Sequence, residues 1–303
     1  VILRPASQTP LSSLLLAEVA AEAGLAAGLL NVVPCPVQHV EAILEDERIK
    51  LVTFTGSPPV GWAIKQRAYR RKVVLELGGN AAVVFDRGYD LLAQIPKIAV
   101  SAYAHAGQSC ISVQRIFVPR EEEERFAETM AAHVRDSVTF GDPSREETVA
   151  GPLIRSEEAD RVMSWIAEAR DRGATIVVGG RRSHNVIEPT LLRHVDPELR
   201  IASEEVFGPV AVLDGYGTFD EALEKVNDSR FGLQAGLFTN DLGHAFRALQ
   251  DLEVGAVLVN ETPTWRVDHM PYGGVKESGF GREGVRCAIE EMTEPRLLVL
   301  GPS

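Results

Sequence analysis

The chain has 303 residues, 45% of them hydrophobic and 24% charged, which is ample for a sizeable core and two domains and is not the composition of a disordered chain. With 43 acidic against 31 basic residues its formal charge is −12, an acidic field that argues against a nucleic-acid surface. Cys35, Cys110 and Cys287 are too few and too scattered for a disulfide framework, no Cys/His spacing suits a metal, and no apolar run approaches a membrane span. A reducing cytoplasm is the expected compartment, with no metal and no membrane partner. The sequence opens on Val1, not Met, and enters an apolar run at once, so residues are expected to be missing upstream.

Strand and helix patterns alternate from end to end, which predicts an α/β fold with largely parallel sheets. Val1-Ile2-Leu3 reads as a strand. Thr9 follows as an N-cap, Pro10 as the first helical position, residues 11–23 as helix and Gly24 as its stop. Residues 51–54 make a second strand, Thr55-Gly56-Ser57 breaks it, and 58–69 continue as helix. Short apolar runs at 73–77 and 81–85 flank the turn Gly78-Gly79-Asn80. Further on, 90–105 and 121–138 read as helices around a strand at 115–118. Ser156 caps a helix running to 172, ahead of a strand at 175–178. Strands are expected at 209–213, 235–239 and 255–260, helices at 219–226 and 242–252, and a last strand at 296–300.

Within this framework Cys110 is the strongest nucleophile and Glu76, 34 positions upstream, a carboxylate able to activate water. A lone Cys is more often an inert core residue. Gly56-Ser57-Pro58-Pro59-Val60-Gly61, between a strand and a helix, offers free backbone amides to a phosphate or simply makes a turn. Glu204 and Glu205 beside Phe207 and Gly208-Pro209 read by default as a charged face. His105 is a weak candidate base for the thiol, and the basic cluster from Arg67 to Lys72 reads as a solvated helix end. The loop Arg266 to Gly274 is dense in charge, rings and glycine. Its Arg266 suits a substrate carboxylate or phosphonate, or an internal pair with Asp268 or another carboxylate.

The ordered set Arg4-Pro5-Ala6-Ser7-Gln8-Thr9-Pro10, Phe54-Thr55-Gly56-Ser57, Glu76-Leu77-Gly78-Gly79-Asn80, Gly107-Gln108-Ser109-Cys110, Glu205-Val206-Phe207-Gly208-Pro209 and Pro271-Tyr272-Gly273-Gly274-Val275-Lys276 resembles the aldehyde dehydrogenase superfamily over nearly the whole chain. The resemblance implies an aldehyde dehydrogenase-like fold. Its parts would be a partial Rossmann-type cofactor domain at 1–78, an α/β catalytic domain at 79–280, and a return segment with an oligomerisation strand at 281–303. It also implies oxidation of a small aldehyde by NAD or NADP through a cysteine thioester, in a homodimer or homotetramer.

Carried over by position, Cys110 would be the nucleophile and Glu76 the base that activates the hydrolytic water. Arg4, Ser7, Gly56, Ser57 and Gly61 would serve the cofactor's adenosine and phosphate end. Glu205 and Phe207 would position its nicotinamide ribose and ring, and Leu77 and Gly78 would also contact the cofactor. Arg266 and Ile111 would contact the substrate, and the stretch Arg266 to Gly274, with Ile111-Ser112-Val113-Gln114-Arg115, resembles the branch that acts on small hydroxylated or anionic aldehydes such as lactaldehyde, glyceraldehyde 3-phosphate, sulfolactaldehyde and phosphonoacetaldehyde.

Three departures stand out. Arg4 replaces the usual Lys and Ser7 the usual acidic residue, which favours dual use of NAD and NADP. The family's second oxyanion donor, an Asn, belongs before the point where this sequence opens. Losing such a donor typically costs ~10²–10³ in rate. A noncatalytic dinucleotide-binding or subunit-interaction fragment, a CoA-acylating enzyme and a cysteine hydrolase are the competing readings. The presence of Glu76 disfavours the CoA-acylating one.

Overall fold

A computed structural model describes residues 1–302. The chain divides into two compact units, one formed by Val1–Val52 with Ala63–Lys72, the other by Thr53–Trp62 with the remainder from Val73 onward. In chain order the first elements are β1 (Ile2–Leu3), α1 (Leu11–Glu22), β2 (Asn31–Val32), α2 (Val40–Glu45), β3 (Leu51–Thr55) and α3 (Pro58–Arg67). β1 pairs in parallel with β2. α1 buries none of its residues, with Leu11 at 76% exposure.

The elements that follow are β4 (Lys72–Glu76), β5 (Ala81–Phe85), α4 (Ile95–Tyr103), β6 (Val113–Pro119), α5 (Glu123–Ser137), α6 (Ser156–Asp171) and β7 (Thr175–Val178). Next come β8 (Arg182–Ser183), β9 (Val186–Ile187), β10 (Thr190–Arg193), α7 (Arg200–Ser203), β11 (Val210–Tyr216) and α8 (Phe219–Asn227). The chain then runs through β12 (Phe231–Gly232), β13 (Gln234–Phe238), α9 (Leu242–Asp251), β14 (Ala256–Val259), β15 (Val275–Lys276), β16 (Gly279–Phe280) and α10 (Val285–Met292).

Seven strands form the main sheet of the second unit in the order β14-β13-β5-β6-β11-β10-β7, parallel throughout except for β7, which is antiparallel to β10. Period-2 alternation sorts its side chains to two faces. Val83, Phe85, Ile116, Val118, Ala211 and Leu213 pack against α4 and α5. Ala82, Val84 and Phe117 pack with α8 and α9, while Val210, Val212 and Leu192 pack with α6. Both faces are therefore covered, which explains the unbroken apolar run of β5 and the run Val210 to Leu213 that opens β11. A smaller sheet, β16-β4-β3, places Glu76 opposite Gly279.

Four local expectations differ from the structure. Thr9 does not cap α1: its N–H closes a turn onto the Ala6 carbonyl, and Pro10 is the residue before the helix. Ser156 is already helical, with Arg155 preceding it in extended conformation and pairing with Glu158 at 2.7 Å. The helix expected over 90–105 is a short 3₁₀ turn and then α4, which stops at Tyr103 because left-handed residues follow. In the single chain Arg296 to Leu300 is irregular, with no strand pairing it among the described residues; Leu297 to Leu300 are 75–86% exposed.

Candidate active site

Cys110, Glu76 and Glu205 approach the main sheet from one edge. Each lies in a segment leading into the amino end of a parallel strand: Glu76 ahead of β5, Cys110 ahead of β6 and Glu205 ahead of β11. After α4, His105, Ala106 and Gly107 have φ of 54°, 56° and 66°, three successive residues in the left-handed region that non-glycine residues disfavour. Hydrogen bonds hold this turn, with the His105 N–H donating to the Val149 carbonyl and the Ser109 N–H to that of Gly107. A Cβ at Gly107 would lie 2.1 Å from the Gly208 carbonyl oxygen, so the turn presses on the loop that carries Glu205.

Gly79 completes the junction. A Cβ there would lie 1.8 Å from the Cys110 carbonyl oxygen, and its N–H donates to Glu205 Oε1 at 2.8 Å. One residue without a side chain thus lets three loops meet. Gln114 fixes the approach to Glu205: its Nε2 donates to the Ile201 and Glu204 carbonyls, while its Oε1 accepts the Val206 N–H at 2.9 Å. Asn80 donates to the carbonyls of Ala202 and Glu204. The buried Arg115 guanidinium donates to the carbonyls of Asn80, Lys225 and Val226, and burial draws its pKa down to about 10.

Cys110 is half-buried, with Sγ 3.4 Å from the Tyr272 hydroxyl. Burial raises its thiol pKa, the Tyr272 hydrogen bond opposes the rise, and the charges of Glu205 and Glu76 add to it. Glu76 is 3% exposed and neither carboxylate oxygen has a hydrogen-bond partner among the described residues. Burial, followed by the charge of Glu283, pushes its pKa up to about 8 against the pull of Arg266 and Arg282. A buried carboxylate left without partners is costly in a purely structural role and is a mark of a working group. Within electrostatic reach of the Cys110 thiol, such a group can take up and release a proton near neutral pH.

Arg266 lies with its guanidinium carbon 4.0 Å over the Tyr272 ring centre and donates to Glu283 at 3.1 Å, so its carboxylate partner is Glu283, not Asp268. Ile111 is half-buried beside Cys110, its N–H on Ser109 Oγ. His105 is exposed, and no hydrogen bond joins its ring to Cys110 among the described residues. Glu204 and Glu205 do not form a charged face: Glu204 pairs with Arg230, and half-buried Glu205 turns to Gly79.

Among the remaining positions, Leu77 is 2% exposed, donates to the Ser278 carbonyl and packs over Gly61. The Gly56 N–H is already bonded to the Glu76 carbonyl, and Gly78 lies against the Glu205 carboxylate. Phe207 is 41% exposed at φ 46°. Ser57 is exposed at the head of α3, but Pro58 and Pro59 carry no N–H, so this helix start has fewer free amides than its sequence pattern implies. In the first unit, Arg4 donates to the Cys35 carbonyl and to Ser7 Oγ at 2.9 Å. Tyr272, Asn80 and Gln114 were given no role from the sequence, although Tyr272 and Asn80 lie in the motif segments and Gln114 in the segment after Cys110, and so carried a signal.

Among the described residues no helix is long and apolar enough to cross a membrane and no His/Cys/Asp/Glu cluster could hold a metal. The chain is 45% identical over 301 residues to a 3-sulfolactaldehyde dehydrogenase of Priestia aryabhattai, a match covering 99% of this chain and 63% of that protein. It therefore spans less than two thirds of that curated relative. Its fold superposes on a crystal structure of aldehyde dehydrogenase 21 from Physcomitrella patens in complex with the reaction product succinate, with a TM-score of 0.95, 41% identity and coverage of 99% of this chain and 62% of that one. It also superposes on a Mycobacterium tuberculosis aldehyde dehydrogenase complexed with NAD+, with a TM-score of 0.93, 35% identity and coverage of 100% and 64%. The family model described as the aldehyde dehydrogenase family matches residues 1–298, and the chain belongs to that family.

Proposed function

We propose that the protein carrying this chain oxidises a small aldehyde, anionic or hydroxylated, to the carboxylic acid with NAD or NADP. The observation that carries the proposal is the buried, unpartnered Glu76 carboxylate within electrostatic reach of the Cys110 thiol. The Cys110 sulfur attacks the aldehyde carbon, and the new oxyanion is held in part by the Cys110 backbone N–H. The dinucleotide, when bound, supplies the hydride acceptor. Glu76 then takes a proton from the water that hydrolyses the Cys110 thioester, and the acid and the free thiol are released.

Glu205 fits the cofactor in its chemistry. It spends one oxygen on Gly79 and keeps a second acceptor for a ribose hydroxyl. Phe207, in its left-handed backbone, offers a ring to the nicotinamide. Ser57 serves the diphosphate and Arg4 with Ser7 the adenosine ribose. With Ser in place of a carboxylate at that ribose position, a 2′-phosphate meets no repulsion. Arg266, one third exposed, remains the group for a substrate anion, sharing it with Glu283. The exposed Leu297 to Leu300 stripe suits pairing with another copy in a homodimer or homotetramer, in the cytoplasm.

The test is formation of NADH and NADPH by the protein with a panel of small anionic and neutral aldehydes. Turnover that fails in Cys110→Ser is expected. Absence of reduced nicotinamide with every aldehyde would overturn the proposal.

A further inference from the structure

We propose that Tyr272 is a catalytic residue whose hydroxyl donates to the Cys110 sulfur and holds it as the thiolate. The inference deepens the reading of Cys110 as nucleophile and rests on it. The Tyr272 hydroxyl is 3.4 Å from Sγ, within hydrogen-bond distance for sulfur, and the ring is 4% exposed. In the thiol form either atom can donate. Once the sulfur is ionised only the phenol has a proton to give, so the bond strengthens with the charge it stabilises.

The surroundings make that donor matter. No cation and no histidine ring is hydrogen-bonded or ion-paired to Cys110 among the described residues, and the charged groups that act on it, Glu205 and Glu76, both oppose a thiolate. Tyr272 is itself kept protonated: burial first, then the neighbouring Cys110 and Glu76, hold its proton far more firmly than in water, with only Arg266 pulling the other way. Arg266 stacks on the ring at 4.0 Å and is anchored by Glu283. The Tyr272 backbone is locked as well, exchanging both N–H to carbonyl bonds with Glu283. The hydroxyl is therefore aimed by a ring fixed on one face and at its base.

Tyr272→Phe keeps the ring, its stacking and its volume and removes only the donor. The measurement is the pH profile of Cys110 alkylation by iodoacetamide, followed by mass spectrometry of the Cys110 peptide so that Cys35 and Cys287 do not contribute. The expected result is a thiol pKa higher by about 0.5–1 unit and alkylation at pH 8 slower by about 3–10-fold. Arg266→Met, which keeps the hydroxyl, should move the profile less. An unchanged or faster Tyr272→Phe profile, with the circular dichroism of the parent, would overturn the inference. If the variant loses that spectrum, the hydroxyl is structural and the inference also falls. Alkylation needs neither aldehyde nor dinucleotide, so a shifted profile in a protein that turns over no aldehyde leaves Tyr272 in place while the proposed activity fails.

Discussion

Glu205 accepts the Gly79 N–H at 2.8 Å across 126 positions of sequence, and the same glycine touches the backbone of Cys110. The Cys110 loop, the segment carrying Glu76 and the loop carrying Glu205 are thereby tied to one small residue. Gly79→Ala would drive a methyl group into the Cys110 carbonyl. It is expected to cost about 1–3 kcal/mol of stability, read from the urea midpoint, and to change Cys110 alkylation at constant pH. A variant with the parent's midpoint and reactivity would show that this contact is not a constraint.

Glu76 gives stability a definite pH slope. Its pKa of about 8 in the folded chain lies above the ordinary 4.5, so between those values the folded state holds a proton that the unfolded state has released. Its contribution is complete below about pH 4.5 and is lost as pH rises through about 8. Glu76→Gln abolishes this loss, so the variant should gain on the parent across the window, by several kcal/mol at most. Parallel pH–stability curves for the two proteins would refute it. In turnover, Glu76→Gln should keep a burst of reduced nicotinamide and lose about 10²-fold or more of the steady rate.

Cofactor choice is expected to follow Ser7. A carboxylate at that position would repel a 2′-phosphate and pair with Arg4, which now donates to the Ser7 hydroxyl. Ser7→Glu should lower kcat/KM with NADP by about tenfold or more relative to NAD. A ratio equal to the parent's would remove Ser7 from cofactor selection.

Phe207 offers a trade between stability and binding. As a bulky residue at φ 46° it is strained, and Gly accepts that backbone freely. Phe207→Gly is expected to leave Tm unchanged or slightly raised while KM for the dinucleotide increases about tenfold. A drop of several degrees in Tm would mean that the ring is a packing group.

Most strands and long helices of the second unit were legible from sequence because their apolar periods are strong, as in 81–85 and 219–226, which match β5 and α8 to within a residue. Cys110 and Glu76 were singled out from residue type and motif, and the fold brings them within electrostatic reach of each other. What escaped was tertiary. Thr9 and Ser156 have the chemistry of caps, but the chain turns one residue away from where each would serve. Asn80 and Gln114 lie in or beside motif segments, but their hold on the 201–206 loop appears only once that loop folds onto them. The short β12, β15 and β16 have two residues each, too few for any period to register. Tyr272 could be read as part of a motif, but its aim at Cys110 comes from the fold that brings a loop 162 positions away onto the thiol.

The placement of Cys110 at the amino edge of the main sheet sets the sign of the backbone field around it. Helices that connect parallel strands run against them, so α4, α8 and α9 turn their carboxyl ends, each carrying roughly half a negative charge, toward that edge. Helical dipoles that lower the pKa of many reactive cysteines here favour the neutral thiol. The sulfur must obtain its charge stabilisation from individual side-chain donors and from the bound substrate. On the proposed reading, the Tyr272 hydroxyl then carries a share of the work that a helix amino end does for other reactive thiols.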